Sequence, residues 1–133
     1  MTIPRIGVNA PLARVGLGAG GAIAGPPPEE PGLAGWFAGG PTPGRPGAAV
    51  LVGDLVFARL ADLRAGDLVG VVRADDTVAV FRVVGSAAPP EGGYRAPSRP
   101  GGAAPELRLV SGDLVVYAAF TAAYGVADLT GAL

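Results

Sequence analysis

Ser111-Gly112-Asp113 sets a hydroxyl and a carboxylate two residues apart after one apolar run, and Asp54 follows another apolar run that ends in Gly53. A serine hydroxyl becomes a nucleophile when a base held at hydrogen-bonding distance takes its proton. The chain offers few bases: it has no cysteine and no histidine, and all ten of its basic residues are arginine. The base for Ser111 would therefore be a carboxylate, Asp54 or Asp113. An exposed aspartate titrates near pH ~4, a poor match for deprotonating a hydroxyl at neutral pH unless burial raises it strongly. Structural roles compete at each position. Ser111, Gly112 and Asp113 suit a tight hairpin turn, and Asp54 suits an N-terminal cap where a strand runs into a short helix.

Other constellations are weaker. Without cysteine or histidine there is no basis for a zinc site or a disulfide, and neither metal nor cofactor is expected. Asp75-Asp76 could ligate calcium in principle, but too few oxygen ligands lie nearby, and the pair reads as a turn held by side-chain-to-backbone hydrogen bonds. The glycine-rich run from Gly16 to Gly21 lacks the Gly-Lys-Ser/Thr ending of a phosphate loop. Glu29-Glu30 are adjacent in a proline-rich segment, whereas glycoside hydrolysis needs two carboxyl groups opposed across a cleft. Ten arginines against eleven acids, with no basic stretch, argue against nucleic acid as a partner. Tyr94 and Arg95, in a Gly/Pro-rich loop, are by position the candidates for contact with an extended peptide. Trp36-Phe37 read as the anchor that pins a long loop to the core.

The elements that must position these residues are short. A chain of 133 residues suits a single domain, here 1–133, and half of its residues are apolar. The 23 glycines and 14 prolines concentrate at 16–47 and 85–105, which predicts long loops on a folded core rather than disorder throughout. Residues 3–12 read as a proline-punctuated edge strand, and 48–53 as a short buried strand. Val56, Leu60 and Leu63 stand at helical spacing and predict one or two turns of helix. Strands follow at 68–73 and 78–84, joined by a polar turn, and at 106–111 and 114–120, joined through Gly112-Asp113. This pattern predicts an all-β barrel or sandwich with one small helix. No uncharged stretch is long enough to span a membrane.

Several of these blocks, in this order, resemble a sortase of the actinobacterial class E or class F type. They are Ile3-Pro4-Arg5-Ile6-Gly7-Val8-Asn9-Ala10-Pro11; Gly35-Trp36-Phe37; Pro43-Gly44-Arg45-Pro46-Gly47 with Ala49-Val50-Leu51-Val52-Gly53; Phe57 to Asp67; and Leu107-Arg108-Leu109-Val110. The resemblance implies a sortase-like β-barrel, mostly antiparallel, with long Gly/Pro-rich loops. It also implies a cysteine transpeptidase that recognises a sorting signal on a surface protein, using a Cys, a His and an Arg. The chain departs from that pattern where the chemistry would sit. Asp54 stands at the histidine position, Ser111-Gly112 at the position of the Thr-Cys pair, and the loop leading to the arginine is missing. The expectation is an inactive member that binds an extended peptide or a surface protein, if it acts at all, with a hydrolase or transpeptidase using Ser111 as the alternative. Members of the family are held outside the membrane by an N-terminal helix. The start Met1-Thr2-Ile3-Pro4-Arg5 has no basic region followed by an apolar one, so either the protein stays inside or the chain is a piece from which an anchor is missing.

Overall fold

The computed structural model describes residues 1–18, 21–27, 29–90, 94 and 104–126. Nine strands are hydrogen-bonded into one sheet: β1 (Thr2–Ile3), β2 (Val8–Asn9), β3 (Leu12–Val15), β4 (Ala34–Phe37), β5 (Gly47–Val52), β6 (Leu68–Val72), β7 (Thr77–Ala87), β8 (Pro105–Val110) and β9 (Val115–Gly125). Their order across the sheet is β2-β1-β6-β7-β9-β8-β5-β4-β3. Six of the pairings are antiparallel, while β3–β4 and β5–β8 are parallel, so the sheet is mixed rather than wholly antiparallel.

The sheet curls because one apolar cluster draws on strands from end to end. Ile3 of β1, Val69 and Val71 of β6, Phe81 of β7, Leu107 and Leu109 of β8, Leu51 of β5 and Ala34 of β4 share a single core. A flat sheet could not bring β1 and β4 to one core, since five strands separate them. Alternation along each strand places every second residue on the opposite face. There Phe37, Val50, Val52, Val110 and Val115 form a second, smaller cluster with Ile23, Tyr94 and Tyr117 packed against it. Among the described residues no polar or charged side chain is buried.

Local chemistry explains several departures from the expected elements. Residues 3–12 are not one strand: Pro4 opens a 3₁₀ turn at Pro4–Ile6, and Gly7 closes it with φ of 68°. The turn separates β1 from β2, which then pair with each other. Nor is the stretch from Val15 to Gly47 all loop, because β4 runs through it, parallel to β3 and antiparallel to β5. Trp36 and Phe37 are thus strand residues, with Trp36 packed on the main core and Phe37 buried in the second cluster. The short helical segment takes the form of two successive 3₁₀ turns, Leu55–Phe57 and Leu60–Asp62. Their apolar positions bury Phe57, Leu60 and Leu63 in the core. Asp75 accepts a hydrogen bond from the Thr77 backbone N–H at 3.1 Å, and Asp76 takes a left-handed conformation with φ of 60°. This is the turn chemistry expected between β6 and β7. No helix among the described residues is long and apolar enough to cross a membrane.

Candidate functional site

The parallel pairing of β5 with β8 brings the candidate residues together. Val52 is in register with Val110, and the Gly53 N–H donates to the Val110 carbonyl at 3.0 Å, so both strands end at the same level. Beyond those ends Asp54, Ser111 and Gly112 line one groove of about 260 Å³, together with Val52, Val110, Ile23 and Tyr94. Arg95 lies outside the described residues.

Gly53 has a packing reason to be glycine. A Cβ there would lie 2.5 Å from Val56 Cγ1 and 3.0 Å from the Phe57 ring. The chain therefore turns tightly under Asp54, and the Phe57 N–H donates to the Asp54 carbonyl at 3.0 Å. The Asp54 side chain makes no capping hydrogen bond and is exposed at the groove's end, contrary to the cap expected of it.

At the end of β8 the Ser111 N–H donates to the Leu114 carbonyl at 2.9 Å, closing a hairpin with Gly112-Asp113 at its tip. Val110 pairs with Val115 directly below. The Ser111 hydroxyl lies 3.1 Å from Asp113 Oδ1 and 3.4 Å from the Leu114 carbonyl oxygen, so its single proton is shared among acceptors of its own turn. The acid beside it, Asp113, is exposed to solvent.

The floor of the groove is apolar, and the arginine on this face is already engaged. Arg108, two residues before Val110 and on the same face of β8, lies with its guanidinium carbon 4.6 Å from the centre of the Tyr117 ring. Its Nη2 donates to Glu106 Oε1 at 3.0 Å. Tyr94 packs half-buried beside them, and burial pushes its phenol above the usual tyrosine range. Arg108, Val52 and Ile23 were not singled out in the sequence. Alternation in Leu107-Arg108-Leu109-Val110 carries the signal for Arg108, since it puts the arginine on the face of Val110 and away from the core.

A family model of the sortase domain matches residues 1–117. The match spans most of the chain, and the chain belongs to the sortase family. Sortase E from Streptomyces avermitilis superimposes with a TM-score of 0.68 at 21% identity, over 95% of this chain and 88% of that one. Sortase C from Clostridium perfringens gives 0.67 at 16% identity, over 91% and 67%. A Clostridium perfringens sortase described as a transpeptidase gives 0.66 at 16%, over 91% and 76%. At these identities the likeness is one of fold. No curated protein matches the chain.

Proposed function

We propose that this domain keeps the sortase scaffold without its transpeptidase chemistry and acts as a binding or scaffolding module that holds an extended peptide. One observation carries the reading. The groove at the ends of β5 and β8 holds neither a thiol nor an imidazole, and the link from Ser111 to β9 is only Gly112-Asp113-Leu114, a hairpin with no arginine. Acyl transfer to a thiolate needs the nucleophile, a proton carrier and a cation at the developing oxyanion together. What remains is a shallow apolar trough flanked by Tyr94, a surface suited to the side chains of an extended segment.

The test uses a fluorescent sorting-signal peptide with and without an amine acceptor. Anisotropy should show saturable binding, weakened in Tyr94→Ala, while mass spectrometry shows neither cleavage nor a covalent adduct. Failure to bind would remove the module reading. A product that disappears in Ser111→Ala would establish the serine enzyme instead.

A further inference from the structure

The sheet leaves an opening far from the groove just described. Strands β3 and β6 are not hydrogen-bonded to each other, and between them lies a mouth of about 600 Å³ that reaches toward the main core. Leu12, Trp36 and Val71 form its apolar floor, all three belonging to or packed against that core. The volume falls within the range of small-molecule sites, about 300–1,000 Å³.

Its rim is cationic in a chain that is not. Arg14, Arg45 and Arg73 face a single acid, Asp75, a local balance of three positive charges to one negative, whereas the whole chain carries a net charge of −1. Arg73 is occupied: its Nε donates to Thr77 Oγ1 at 2.8 Å and lies 3.9 Å from Asp75. Arg14 and Arg45 differ from every other described arginine. Among the described residues neither side chain has a hydrogen bond or an acidic partner, and Arg14 lies with its guanidinium 5.5 Å from the centre of the Trp36 ring. The backbone makes room for this arrangement at Gly44. Its φ is 95°, and a Cβ there would stand 2.4 Å from Arg73 Nη1.

We propose that this mouth binds a small anion with a flat apolar body, such as an aromatic carboxylate or sulfonate. The body stacks in the Trp36 floor and the head meets Arg14 and Arg45. Guanidinium groups pair with carboxylate-like oxygens through two donors and also lie flat on aromatic faces, so this residue set reads both parts of such a ligand.

Trp36 is the sole tryptophan and lies in the floor of this mouth, so its emission responds to dye seated there, and the arginine variants separate that from dye bound elsewhere. The probe is anilinonaphthalene sulfonate, followed by quenching of Trp36 emission, with uncharged phenylnaphthylamine as its counterpart. Arg14→Gln combined with Arg45→Gln should weaken the sulfonate by about tenfold and leave the uncharged dye unchanged, in line with losing two exposed charge contacts. Arg59→Gln with Arg82→Gln removes the same charge elsewhere and should leave both dyes as in the wild type. Equal thermal midpoints across the set exclude dye uptake by a loosened fold. The proposal is overturned if the sulfonate fails to quench Trp36, if the Arg14/Arg45 variant binds it as the wild type does, or if both dyes weaken together.

Discussion

Asp67 is one of two described aspartates, with Asp75, that the fold holds in the charged form and through which acid acts on this protein. The Arg64 backbone N–H donates to its Oδ2 at 2.8 Å, and Arg5 donates to its Oδ1 at 3.2 Å. The Arg64 bond first, and the Arg5 guanidinium after it, hold the carboxyl below the usual aspartate range. A depressed folded value means that the linked stability is present above the unfolded value, near pH ~3.9, and is lost as pH falls through the folded one. Asp67→Asn should therefore lower the thermal midpoint at pH 7 and flatten its fall below about pH 4. A variant whose midpoint drops as steeply there as the wild type would refute this role. The same scale governs attempts to restore chemistry. Gly112→Cys, alone or with Asp54→His, should become alkylatable by iodoacetamide yet transfer no peptide, because the hairpin places no cation beside the thiol. Turnover in the double variant would show that the groove is a complete site lacking only two side chains.

At the level of elements, β4 shows why part of the fold was hidden in the sequence. Ala34-Gly35-Trp36-Phe37 has two small residues in four and sits among turn formers, so composition argues for loop. The glycine is there for packing: a Cβ on Gly35 would lie 2.8 Å from Val15 Cγ1 and 2.9 Å from Val52 Cγ2. Gly35→Ala should cost about 1–3 kcal/mol by overpacking. Val15→Ala in the same chain should recover part of that loss, and a double-mutant cycle from urea unfolding checks it. Strands whose own residues carry the period were legible: β5, β6, β7 and β8 lie within a few residues of expectation. β9 runs beyond the expected 114–120 because Ala122 and Ala123 have weak strand propensity and are held by pairing with β7. The short helix was legible from Val56, Leu60 and Leu63, but not its 3₁₀ form, since tight turns at Gly53 and Gly66 leave no length for a regular helix.

For the molecule as a whole, the meeting of Asp54 with Ser111 could be read from the sequence only by way of resemblance, since nothing local ties residue 52 to residue 110. The mouth between β3 and β6 was not legible, because its arginines are scattered and its floor depends on β4. Stability rests on the shared core. Leu109, with no exposed surface, should lose about 2–5 kcal/mol as Leu109→Ala. Val84→Ala, at a side chain that is 60% exposed, should stay within about 0.5 kcal/mol. Comparable losses at both positions would contradict a single enclosed core. The parallel β5–β8 pair also bears on kinetics. Each residue of β5 meets one 58 positions later, from Gly47 with Pro105 to Val52 with Val110. The entropy of closing so long a segment is spent before any of these contacts forms, whereas the β6–β7 and β8–β9 hairpins can close early. The groove therefore depends on a pairing that topology places after those hairpins, and a peptide that binds only the folded groove should stabilise the whole fold instead of one patch.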